Sequence, residues 1–106
     1  MYIAMNRFRI ALGREPDFLK LWKERDSRLS EVAGFVEFRL LRGATDEACT
    51  LFATHTVWES EAAFRDWTTS ESFRLAHANA GGSRDIYLGH PVFEGFEVEI
   101  EGASAS

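Results

Sequence analysis

Three residues stand out for chemistry by type and setting. Asn6 interrupts an apolar alternation formed by Tyr2, Ala4, Phe8 and Ile10, and is the only strongly polar residue on that face. An amide withdrawn from water without partners costs about 1–3 kcal/mol. Asn6 therefore needs a hydrogen-bond partner, from the protein or from a ligand. His77 lies among small neighbours in Ala76-His77-Ala78-Asn79-Ala80-Gly81, which leaves room for a flat ligand to approach. No second histidine follows at i+3 or i+4, so a multi-ligand protein metal site is not encoded there. A single imidazole does suffice where a porphyrin supplies the other four ligands to iron. Trp67 shares a helix face with Phe64. One unbroken helix would separate Trp67 from His77 by about 15 Å; a break at Thr68-Thr69-Ser70 would let them share one pocket. On local grounds each residue also has a plain reading. Asn6 could bond neighbouring backbone, His77 could answer the negative end of a helix dipole, and Trp67 could be core.

The other reactive side chains carry weaker signals. His55 alternates with Leu51, Ala53 and Val57 and reads as a structural strand residue. His90 precedes Pro91 in a loop. Cys49 has no histidine or basic residue beside it to form a thiolate. Gly81-Gly82 is a turn signal rather than a phosphate loop, and Glu97 and Glu99 mark a solvated strand face. There is no His-Glu-x-x-His and no nucleophile elbow.

The elements that must position these residues follow from periodicity. Residues 2–11 read as a strand with Ile3, Met5, Arg7 and Arg9 on its second face. Pro16 with Glu15 and Asp17 opens a helix expected over about 15–30, its apolar face being Phe18, Leu21, Trp22 and Leu29. Phe35–Leu41, closed by Arg42-Gly43, is a second strand, and Cys49–Trp58 a third with both faces half polar. Ser60 caps a helix over Glu61–Trp67, and Ser70 caps a second piece over about 71–78. A loop containing Tyr87 and His90-Pro91 leads to a last strand over Val92–Ile100. This order predicts an α+β, ferredoxin-like fold: a four-stranded antiparallel sheet with helices on one face. A second copy of the chain would cover the other face, giving a dimeric α+β barrel.

Composition sets the class. The chain has 106 residues, with 17 acidic against 12 basic and a net charge of −5. It lacks a Lys/Arg cluster, which argues against nucleic acid and anionic membranes as partners. One cysteine excludes an intrachain disulfide and a Cys-rich metal centre, consistent with a reducing cytoplasm. No signal peptide or membrane span is legible. The expectation is one domain over residues 1–101, then a disordered tail over 102–106. Nine Phe, three Trp and two Tyr exceed what so small a core requires, which points to a pocket or interface as well.

Asn6, Trp67 and His77 taken together, with Met5-Asn6-Arg7-Phe8, Val32-Ala33-Gly34-Phe35, Thr56-Val57-Trp58-Glu59-Ser60, Phe64 to Trp67 and Phe73 to His77, carry a resemblance over residues 2–100. The chain resembles the antibiotic biosynthesis monooxygenase (ABM) superfamily, and within it the haem-degrading monooxygenases of the IsdG type. The resemblance implies that haem is both cofactor and substrate. His77 would be the axial ligand to the haem iron, Asn6 would donate a hydrogen bond on the oxygen-binding side, and Trp67 would press the porphyrin out of plane. It implies a haem oxygenase that uses O2 and an external electron donor such as a reductase, and releases iron and a biliverdin-type tetrapyrrole. Arg25, Arg28, Arg74 and Arg84 are candidates for the propionates. Two rivals stand beside this expectation. One is a haem-binding or transfer protein without catalysis; the other is a cofactor-free monooxygenase acting on an aromatic substrate.

Overall fold

Alternation of apolar and polar side chains commits Tyr2–Ala11 to a strand, β1. The computed structural model, which describes residues 1–24, 29–70 and 84–102, places it inside a four-stranded antiparallel sheet. The other strands are β2 (Phe35–Thr45), β3 (Cys49–Trp58) and β4 (Val92–Glu97), in the order β2-β3-β1-β4. Helix α1 (Glu15–Glu24) connects β1 to β2, and helix α2 (Glu61–Thr68) follows β3. The α+β, ferredoxin-like expectation is met, with both helices on one face of the sheet. None of the described helices is long and apolar enough to cross a membrane.

Three expected boundaries move. Helix α1 ends at Glu24, and Leu29–Glu31 forms a short 3-10 turn. Leu29 is buried all the same, so its apolar spacing marked a core position, here in a 3-10 turn. Strand β2 runs through Arg42-Gly43 to Thr45 across a register shift between Arg42 and Thr45. A side chain at Gly43 would press on Leu51 of the neighbouring strand; glycine at the irregularity lets the pairing continue. The turn falls later, where the Asp46 carboxylate accepts from the Ala48 and Cys49 backbone N–H groups at 2.7 and 2.9 Å. Those two bonds hold its pKa below the usual carboxylate range. Strand β4 stops at Glu97, opposite Tyr2, with one further bond from the Val98 N–H to the Met1 carbonyl at 2.9 Å; Ile100 is 91% exposed.

Register puts Tyr2, Ala4, Asn6, Phe8 and Ile10 of β1 across from Trp58, Thr56, Thr54, Phe52 and Thr50 of β3 on the helix side. Two apolar clusters form there. One gathers Phe8, Ile10, Phe18, Phe52 and Ile86 under α1. The other gathers Tyr2, Ala4, Leu29 and Trp58, with Phe35, Phe38, Ala63, Phe64 and Trp67 packed against it under α2. Gly34 has φ +85°, and a side chain there would strike Ala63 of α2. Its absence lets α2 sit down on the start of β2.

The segment expected as a plain loop is anchored. Strand β4 pairs with β1 only as far as Arg7, which leaves the edge at Arg9 and Ile10 open. Leu88 fills it, donating its N–H to the Arg9 carbonyl at 2.8 Å and accepting from the Arg9 guanidinium at 2.9 Å. Ile86 is buried in the first cluster, and Tyr87 bridges to Ile10 and packs on Phe8 and Phe18. The Arg14 guanidinium bonds Asp85 and Asp17, and holds the Asp85 carboxyl below its ordinary pKa.

Candidate functional site

The two clusters leave a polar row between them. Asn6 sits half-buried on β1 between Ala4 and Phe8, opposite Thr54 of β3 on one side and Phe93 of β4 on the other. Leu40 of β2 continues the row beyond Thr54. The Asn6 carboxamide has no hydrogen-bond partner among the described residues. The plain reading, an amide tied to neighbouring backbone, is therefore not what the geometry gives. Two N–H donors and a carbonyl acceptor are left for something outside the protein chain.

Aromatic rings flank the row. Trp22 of α1 and Phe38 of β2 stack at 5.6 Å with planes 23° apart, and join the two clusters on one side. Phe93, 48% exposed, lies parallel to Phe64 of α2 at 5.5 Å. Phe64 in turn touches Trp67 at 6.5 Å. Ser60 positions this helix: its side chain accepts from the Ala63 N–H at 3.1 Å, the cap expected from the sequence. Trp67 is half-buried near the C-terminal end of α2, tilted 32° against Trp58 at 5.5 Å. Its carbonyl accepts from both the N–H and the hydroxyl of Ser70, which pins the helix end.

The structure thus brings Asn6 and Trp67 to one face of the sheet, connected through Phe93 and Phe64. His77 lies outside the described residues, as do Arg25, Arg28 and Arg74; Arg84 begins a short 3-10 turn. Among the described residues no group of three His, Cys, Asp or Glu side chains could hold a metal ion. His55 faces the opposite side of the sheet, and its buried Nδ1 has no hydrogen-bond partner among the described residues. His90 is exposed beside Pro91, and Cys49 is a buried free thiol at the start of β3. Sequence reading missed two features of this face. The Trp22–Phe38 stack joins positions sixteen residues apart that periodicity assigns only to their own elements. Trp58 was legible as a strand residue, but nothing local shows that it supports Trp67. Its Nε1 is buried without a partner among the described residues, a cost of about 1–3 kcal/mol.

A flat apolar ligand with a group that accepts hydrogen bonds matches this surface. Aromatic planes offer stacking area, and the carboxamide offers donors but cannot release a proton at neutral pH.

Comparison with known proteins gives the context. Residues 1–79 match the antibiotic biosynthesis monooxygenase family. A heme-degrading monooxygenase of Shouchella clausii (strain KSM-K16) is 29% identical over 100 residues, spanning 94% of this chain and 92% of that one. The heme degrader MhuD of Mycobacterium tuberculosis, solved with two hemes bound in its active site, superposes with a TM-score of 0.75. The two are 25% identical, and the match covers 97% of this chain and 100% of MhuD. SnoaB of Streptomyces nogalater, a cofactor-independent oxygenase, shares the fold with a TM-score of 0.70 at 23% identity, over 94% of each chain.

Proposed function

The chain belongs to the antibiotic biosynthesis monooxygenase family, and from that premise we propose that it binds haem on the Asn6 face of its sheet and opens the porphyrin ring with O2. The unpartnered, half-buried carboxamide of Asn6 between two apolar clusters carries this reading. The similarity to the Shouchella and Mycobacterium haem degraders supports it. His77 would hold the haem iron through neutral imidazole, and Trp67 would bear on the ring. When bound, haem supplies the iron that activates oxygen and is itself the ring that is opened.

Each side chain has a definite task. Asn6 would donate a hydrogen bond to a bound acceptor without delivering a proton, because a carboxamide is no acid at neutral pH. Trp67 would press on the bound ring, and distortion of the macrocycle is a recognised lever on haem chemistry. The clusters under α1 and α2 exclude water and provide the apolar walls. Electrons come from an external donor, for which a cytoplasmic reductase fits, and the products are iron and a biliverdin-type tetrapyrrole.

Hemin titration tests this reading. A saturable complex with a sharpened Soret band is expected, and His77→Ala should weaken it about a hundredfold or more, the usual scale for loss of an essential ligand contact. No saturable complex, together with O2 uptake on a phenolic substrate, would replace haem by cofactor-free chemistry.

The opposite sheet face fits a second copy of the chain. It presents Ile3, Met5 and Val57, with Leu41, Val92 and Phe96 exposed, beside the ion pairs Arg7–Glu94 and Arg39–Glu37. Exposed apolar side chains set among charged pairs suit an interface with a second copy. Sedimentation at micromolar concentration should give a homodimer, and Phe96→Glu should shift it toward monomer; a monomeric parent protein would rule the pairing out.

A further inference from the structure

Trp58 ends β3 and is fully buried, enclosed by Phe35 at 5.7 Å, Phe64 at 5.9 Å and Trp67 at 5.5 Å. Its Nε1 has no hydrogen-bond partner among the described residues. A phenylalanine would fill most of the same space with no N–H to leave unpaired. The indole adds one thing a phenyl lacks, a second fused ring that broadens the face meeting Trp67. Trp67 itself rides on a helix of only eight residues, so its backbone is pinned by Ser70 but its ring tilt depends on what it leans against. Among the described residues, Trp58 is the ring nearest to Trp67 and the more nearly parallel; Phe64 lies at 6.5 Å and 46°.

We propose that Trp58 is a positioning residue: its indole face, carried on the rigid strand, sets the tilt of Trp67 and thereby the wall that Trp67 presents to a flat ligand. This rests on the reading of Trp67 as a wall of the haem site. Residues that fix a contacting side chain from behind govern how well it holds its geometry. The unpaired Nε1 is the cost of that support. The assignment separates stability from function, because removing the indole relieves a buried donor while freeing Trp67.

Four proteins decide it, each labelled with fluorotryptophan: the parent chain, Trp58→Phe, Trp58→Tyr and, for assignment, Trp67→Phe. Without hemin, Trp58→Phe should unfold at a urea concentration no lower than the parent. Its Trp67 fluorine resonance, assigned with Trp67→Phe, should move and broaden while that of Trp22 stays in place. With hemin, affinity should change by less than about threefold while the out-of-plane porphyrin Raman bands weaken and kcat falls about tenfold, as expected for misplacement of a positioning group. Trp58→Tyr, which also lacks the fused ring, should move the Trp67 resonance and weaken the Raman bands as far as Trp58→Phe does. An unmoved Trp67 resonance, parent-like Raman bands in Trp58→Phe, or loss of folding in both variants would overturn the proposal. Failure of the parent to bind hemin would instead remove the haem reading. The Trp67 resonance would still decide whether Trp58 sets its tilt.

Discussion

Replacing Asn6 with alanine should leave hemin affinity within about tenfold of the parent and slow ring opening by about a hundredfold. The first figure reflects loss of one hydrogen bond of ordinary worth. The second reflects removal of a preorganised donor aimed at charge that develops during reaction. The asymmetry follows from the position of the residue. Asn6 stands alone between Ala4 and Phe8, and its amide has no hydrogen-bond partner among the described residues, so its removal leaves no orphaned protein group. Truncation should therefore leave the thermal midpoint close to that of the parent, or raise it. Single-turnover decay of the hemin complex under reductant, beside a hemin titration, separates the two effects. Equal losses in affinity and rate would make Asn6 a binding residue only. An unchanged rate would remove it from the reaction.

Phe18→Ala should cost about 3–5 kcal/mol of folding stability, the range for truncating a fully buried phenylalanine. Phe18 is the residue through which α1 reaches the sheet. It is fully buried and meets Phe8, Phe52, Trp22 and Tyr87 at 5.4, 4.8, 6.2 and 5.9 Å. Domains of this size are stable by only about 5–15 kcal/mol, so one side chain here carries a large share. The loss should reach function too, because Trp22 leaves its place over Phe38 when α1 loosens. Urea denaturation measures the effect. Phe18→Leu, which keeps most of the volume, should lose less than about 1.5 kcal/mol. A cost below about 1 kcal/mol for alanine would mean that α1 is held by other contacts.

The legible part of this molecule is the part governed by period. Alternation found β1 with its boundaries, because one side of an inner strand must be apolar, and β3 was legible with its boundaries as a run whose two faces are each half polar. Ser60 was legible as a cap because its side chain bonds backbone three residues on. The anchored Ile86-Tyr87-Leu88 segment was not, since its partner is an edge left open where β4 stops pairing at Arg7. The end of α1 escaped for a related reason: Leu29 is buried from a 3-10 turn at a spacing that a helix would also produce. At the site, Asn6 was found as a polar residue on an apolar face. Its isolation between two clusters is a property of β3, β4 and both helices together. Trp22 and Phe38, or Trp58 and Trp67, make surfaces only after folding, so no local pattern announces them. The expected roles of Trp67 and His77 came from family resemblance rather than from spacing.

The most direct test of the haem reading is aerobic turnover of the hemin-loaded protein with ascorbate or a reductase, followed by absorbance and by a ferrous-iron chelator. The predicted result is decay of the Soret band, a new tetrapyrrole spectrum and iron captured in step with haem lost. A Soret band that persists under reductant and air, with no iron reaching the chelator, would contradict it.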